Sequence, residues 1–323
     1  MVENNKHVCP ICTGAEFRVH KLGLEQCAAC GLVFSPAIRQ PQANEVLEEE
    51  WFGEDYQPQT SRWVGWFESL NNRRTLRRLS RLEFPGHRLL EIGVGSGSFL
   101  QAAQDNGFVV TGCDLSQAIC KHVTSTHGVT MHCGPLSDLH GEDRFDVVVM
   151  NHVLEHVNDP VAFLSGVRRL LVPGGVAHIA APNVACWEAA LSGWTSYEPY
   201  HLSYFTPTTL RKAVSADGLD IEREATYESF SGWFLAVLRT LMGVNRDGRA
   251  IRVNERSGHV TMSQSRSALS EHIYRLAMIC VGGGTVALTW FTSTTGLWRR
   301  TGLHGPKVCR NANLVGIISH AAR

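Results

Sequence analysis

Four cysteines near the start of the chain, Cys9, Cys12, Cys27 and Cys30, are spaced C-x2-C-x14-C-x2-C. Each C-x2-C turn aims two thiolates at one point, and two such turns complete a tetrahedron of sulfur, the donor set that holds zinc. Four sulfur ligands leave no open coordination position, so zinc held there is structural and not catalytic. A redox dithiol and metal-free cysteines are the alternatives. The remaining cysteines, Cys113, Cys120, Cys133, Cys186, Cys280 and Cys309, are scattered singly and read as small buried residues.

A second constellation lies in "LLEIGVGSGSFL", residues 89–100, where Glu91, Gly93, Gly95 and Gly97 form E-x-G-x-G-x-G. Glycines after a strand permit close backbone approach and conformations that a β-carbon blocks. A dinucleotide fingerprint needs its third glycine at position 98, which is Ser98, and no G-x-x-x-x-G-K phosphate loop follows. The carboxylate of Glu91 would repel a pyrophosphate and attract an ammonium group. Asp114 ends the next strand, where a carboxylate can accept bonds from both ribose hydroxyls. A ribose at one end and a cationic amino acid at the other describe S-adenosylmethionine.

Three histidines could take a proton from an acceptor near neutral pH: His201 in "YEPYHLSYF", then His152 and His156 in "NHVLEHV". They rank in that order as candidate general bases, with His201 first beside Tyr197, Tyr200 and Tyr204. Each alone also reads as a satisfied cap or core residue. The aromatic set Trp187, Trp194, Tyr197 and Tyr200 forms either a substrate wall or core beneath a lid.

These residues need a scaffold, and the chain from residue 88 supplies alternating strands and helices. "RLLEIG", "VVTGCD", "VTMHC", "FDVVVMN" and "VAHIAAP" are the strands, separated by helices over 98–106, 117–126 and "DPVAFLSGVRRLL". The near-continuous apolar run of "FDVVVMN" suits a strand covered on both faces. The helix "TPTTLRKAVSADG", the strand "LDIERE" and a last strand "ANLVGII" follow. This order predicts an α/β, doubly wound, Rossmann-like sheet of seven strands.

In sequence order, "LLEIGVGSGSFL", "GCDLS", "FDVVVMNHVLEHVNDP" and "LVPGGVAHIAAPN" resemble the motifs of class I S-adenosylmethionine-dependent methyltransferases. The resemblance covers roughly residues 85–225 with the return strand near 312. It implies that Glu91, Gly93, Gly95 and Gly97 surround the methionine part and that Asp114 holds the ribose, with Leu115, Leu136 and Asn151 also on the cofactor side. "CGPLSDL" should lie against adenine, with Pro135 standing where the family often has an acidic residue. Asn183 is expected on the cofactor or substrate side. "CAACGLVFSPAI" followed by "WFGEDY" is similar to the zinc-ribbon leader of methyltransferases from sugar and natural-product pathways.

The expected organisation is a zinc ribbon over 1–40, a helical linker over 41–84, the methyltransferase core over 85–230, a helical lid or insertion over 231–305 and the final strand of the sheet in 306–323. The basic run "RRTLRR" reads as the solvated face of the linker helix. Thirty basic and thirty acidic residues balance, so no broad positive field gathers nucleic acid. No apolar signal core follows Met1, so the expected location is the cytoplasm, with reduced cysteines. Residues 276–298 carry no charge, yet three consecutive glycines and several threonines make them only weakly apolar. A buried or lid helix pair is favoured there over membrane association. The predicted activity is methyl transfer to a small molecule, a sugar nucleotide or specialised metabolite, with oxygen slightly favoured over carbon. An RNA methyltransferase clamping nucleic acid with its ribbon, and a non-catalytic zinc-ribbon interaction protein, are the alternatives.

Overall fold

Strand residues of alternating parity feed two apolar layers, and that alternation organises the central sheet. The computed structural model describes residues 8–36, 62–140, 144–194, 196–198, 200–216, 218–227, 236–241, 250–253, 260–263 and 313–319. The parallel strands are β4 (Arg88–Ile92), β5 (Val109–Asp114), β6 (Thr130–Cys133), β7 (Phe145–Asn151) and β8 (Leu171–Pro182). Antiparallel β10 (Asp220–Tyr227) and β13 (Asn313–Ser319) complete seven strands in the order β10-β13-β8-β7-β4-β5-β6. Strand β8 starts earlier than expected and absorbs the "VPGG" turn, with a register shift against β7 between Phe145 and Val147.

Leu90, Val148, Met150, Ala177 and Ile179 face one layer, which includes Leu164, Val167 and Leu210. Leu89, Val147, Val149 and Val176 face the other, with Leu76, Leu79, Phe99 and Leu100. The helices that supply those partners are α1 (Arg62–Leu79), α2 (Ser98–Asp105), α3 (Gln117–His127), α4 (Pro160–Leu170) and α5 (Pro207–Ala216). Their starts follow local chemistry. Asp159 accepts from the Val161 and Ala162 amides ahead of Pro160, and Ser116 accepts from the Ile119 amide. On α1, Leu76 and Leu79 are buried while Arg73 and Arg77 are exposed and Arg74 and Arg78 half-buried, so only part of the basic run faces solvent.

The cysteine head forms β1 (Phe17–Val19), β2 (Glu25–Cys27) and β3 (Val33–Phe34). Its sheet does not end within the head. The two-residue strand β9 (Ser203–Tyr204) pairs antiparallel with β3, giving the order β1-β2-β3-β9. Cys9, Cys27, Cys30, Leu32 and Phe34 therefore share one apolar cluster with Leu154 and Phe205 of the core.

Within the expected helical insertion, 236–241 is helical, while β11 (Ala250–Val253) and β12 (Val260–Ser263) form an antiparallel pair, so the segment carries strand as well as helix. The first part of the linker, residues 276–298, Cys280 and Cys309 lie outside the described residues. Among the described residues no helix is long and apolar enough to cross a membrane.

Candidate functional site

The crevice opens beyond the carboxyl ends of β4 and β7, which are neighbours in the sheet with Ile92 opposite Met150. Gly93, Gly95 and Gly97 all have positive φ, at 72°, 56° and 79°. A Cβ on Gly93 would run into Val153, which follows β7. A Cβ on Gly97 would meet the His127 ring, whose Nε2 lies 3.3 Å from the Ser96 carbonyl. Above Gly95 the space is open. The loop is thus held from behind and bare in front.

Glu91 is buried, and its Oε2 has no hydrogen-bond partner among the described residues. Burial, then the neighbouring charges of Asp114 and Glu68, push its carboxyl well above the usual carboxylate range. Asp114 is also raised by burial, against the pull of backbone N–H groups. Its Oδ2 accepts from the Val94 amide and its Oδ1 from the Ser116 amide, both at 2.9 Å. A buried acid and a half-buried one repel, and a cation between them relieves that repulsion. The orphaned Glu91 oxygen and the open space over Gly95 fit the ammonium end of S-adenosylmethionine.

Leu115 is exposed at the mouth. Leu136 packs towards Gly166 of α4, and Asn151 closes β7. Glu68 was missed in the sequence. It comes from α1, where it accepts from Ser96 Oγ at 3.0 Å, and Asn72 bonds Ser98. Its only sequence signal is an acidic residue on an amphipathic helix, which does not reveal the loop it meets.

Across the crevice, His152 is half-exposed and sits at φ 58°, in the left-handed region. Its backbone N–H donates to the Ala180 carbonyl, and its Nδ1 lies 3.2 Å from Glu155 Oε1. Glu155 is fully buried, and its Oε2 has no partner among the described residues. Burial would raise its carboxyl, but the His152 hydrogen bond and nearby imidazoles outweigh it and hold Glu155 at about 2. Glu155 is the second functional residue the sequence reading passed over, although it stands between two named histidines.

His201, ranked first in the sequence, is buried, and its Nδ1 bonds the Ser196 carbonyl at 2.7 Å. Burial, then the His156 charge, push it down to about 3. His156 is lowered chiefly by burial, bonds the Tyr200 carbonyl through Nδ1 and stacks on the Tyr200 ring at 5.4 Å. Both rings are therefore neutral near pH 7, with Nδ1 as the protonated nitrogen. Glu155, His156 and His201 bring three ligand atoms within 4.8 Å of one another, a set able to hold a cation. Of the four aromatics named above, Trp194, Tyr197 and Tyr200 are core, while Trp187 is exposed. Asn183 is fully buried, and its Oδ1 accepts from the Ala185 amide.

In the ribbon, the four cysteine sulfurs lie within 4.8 Å of one another, with Cys9 to Cys30 at 3.4 Å and Cys12 to Cys27 at 3.6 Å. The Leu32 amide donates to Cys30 Sγ. Burial raises Cys9 and Cys30. Cys27 falls to about 7, because N–H groups of Cys30 and Ala29 and the neighbouring thiols outweigh its burial. All eight described cysteines are free thiols. A closed set of four sulfurs fits a zinc ion.

Residues 67–224 match the methyltransferase domain family. The ubiquinone biosynthesis O-methyltransferase of Caulobacter sp. is 37% identical over an alignment covering 35% of this chain and 47% of the relative. The ubiquinone biosynthesis O-methyltransferase of Xanthomonas oryzae pv. oryzae is 34% identical, covering 32% and 46%. The chain spans about half the length of the curated relatives it matches. A crystal structure described as a sarcosine dimethylglycine methyltransferase from Galdieria sulphuraria superposes with a TM-score of 0.50 at 12% identity, over 87% of this chain and 99% of that one, a likeness of fold.

Proposed function

We propose that this chain, whose residues 67–224 match the methyltransferase domain family, is a class I S-adenosylmethionine-dependent methyltransferase that methylates a hydroxyl of a small molecule. The observation that carries this reading is the pairing of two features across one crevice. One is an orphaned buried carboxylate, Glu91, and the other is a half-exposed imidazole, His152, braced by a buried acid. S-adenosylmethionine supplies a sulfonium-bound methyl group when bound.

Glu91 would attract the donor's ammonium group, and Asp114 would hold its ribose. The glycine loop lets the ligand approach without a side chain intervening. His152 would accept the acceptor hydroxyl's proton at Nε2, because Glu155 engages its Nδ1. His152 thus replaces His201 as the favoured base, since His201 is buried and committed to the Ser196 carbonyl. An oxygen acceptor is favoured over carbon because relatives are named O-methyltransferases. The ribbon cysteines would hold a structural zinc. A small acceptor is favoured over nucleic acid because the β3 edge of the ribbon is spent on β9 and not offered outward. Free thiols fit a reducing, cytoplasmic setting.

The test is methyl transfer from isotopically labelled donor to catechols, sugar nucleotides and RNA offered separately. Label on the hydroxyl of a small acceptor is the expected result. Label on RNA alone, or on carbon, would overturn it.

A further inference from the structure

We infer that the cysteine ribbon is a positioning element for methyl transfer: its edge holds Glu155 through Leu202, and Glu155 holds the His152 imidazole. The inference rests on His152 acting as proposed above. Strand β3 pairs with β9 in the register Val33 with Tyr204 and Phe34 with Ser203. The ladder continues past the strands, where the Ser35 amide donates to the Leu202 carbonyl at 2.8 Å. The Leu202 amide in turn donates to the Glu155 carbonyl at 2.8 Å. One residue of the core is therefore clasped on one side by the ribbon and on the other by the segment carrying the candidate base.

The surroundings give this line stiffness. Leu202 and Ser203 are buried. Leu154, next to Glu155, packs in the same cluster as Phe34 and three zinc-site cysteines. Lys212 of α5 donates to the Cys30 carbonyl at 3.2 Å, and Lys21 lies 5.2 Å from the Tyr197 ring centre. A two-residue strand cannot hold its place by itself. Among the described residues, β3 is the only strand paired with β9. His152 needs the support, because a non-glycine residue in the left-handed region persists only when its surroundings over-determine it.

The test uses the full, zinc-loaded chain in three forms: wild type, Ser35→Pro, which removes the donating N–H, and Ser35→Ala, which keeps it. Hydrogen exchange is followed at Leu202 and across 151–157, alongside S-adenosylhomocysteine affinity and transfer to catechol. Ser35→Pro should speed exchange there about 10-fold and lower transfer, with S-adenosylhomocysteine affinity unchanged and Ser35→Ala like wild type. Faster exchange confined to 8–36, or unchanged transfer, would sink the inference. Should Ser35→Pro fail to fold, stripping zinc from wild type with a chelator gives the same readouts. Failure of wild type to bind S-adenosylhomocysteine would instead overturn the methyl-transfer reading, while the exchange data still decide whether the ribbon holds Glu155.

Discussion

Glu91, the glycine loop and Asp114 come from one stretch of chain, a strand, its loop and the next strand, whereas the local group His152, Glu155 and His156 meets His201 only through tertiary packing. The donor side is therefore a local structure, set by one βα unit and steadied by α1 through Glu68 and Asn72. The acceptor side is a composite of the loop after β7, the segment before β9 and the ribbon. Damage on the donor side should remove cofactor binding and leave the acceptor side standing. Damage on the acceptor side should slow transfer and leave cofactor binding alone.

His152→Ala tests that separation with the largest effect. Turnover should fall ~10²–10⁴-fold, the range for a placed base, with S-adenosylhomocysteine affinity unchanged in calorimetry. Weakened binding would show that the two sides are not independent. Glu91→Gln is the converse. It should weaken S-adenosylhomocysteine binding ~10–100-fold, the loss of one hydrogen bond to a charged group, without lowering the melting temperature. A stability loss with intact affinity would make Glu91 a structural acid.

A pH series compares the two sides in another way, through histidines buried without charge. His178 in β8 is held at about 3 by burial and then the Arg78 charge, and His201 is held at about 3 as well. Both lie below the ordinary value near 6.5, so between about pH 6.5 and 3 the unfolded chain binds more protons than the folded one. Stability should fall as pH drops through that window, by about 1.4 kcal/mol per unit for each histidine. Replacing His178 with Phe should flatten the slope by one proton's worth in urea melts across pH. An unchanged slope would mean that His178 is charged in the fold. The smallest effect belongs to neither side. Arg211→Ala breaks a bidentate pair with Glu224, at 2.8 and 3.1 Å, whose arginine is half-exposed. It should cost about 0–1 kcal/mol and leave transfer unaltered.

Legibility in the sequence followed the same division. The core strands and the glycine loop were readable because their signals span a few neighbouring residues: an apolar run, a glycine set after a strand, a carboxylate at a strand end. The spacing of the cysteines also predicted that their sulfurs would converge. The rank of the histidines was not readable. His201 and His152 look equally available as letters, yet one donates into a buried turn and the other stays half-exposed. Glu68 was hidden because its partner Ser96 lies on another element. The helical reading of the insertion missed the β11–β12 pair, whose strands are only four residues long.

Sequence alone settled which groups exist and which close neighbours they have: four thiols able to converge, an acid before three glycines, an acid at the next strand end. Such features depend on backbone geometry over a few residues, where residue type dictates conformation. Only the tertiary structure decided which imidazole stays wet, and that the ribbon's edge strand continues into the core. Those outcomes depend on burial and on pairing between distant segments, and no local pattern encodes either.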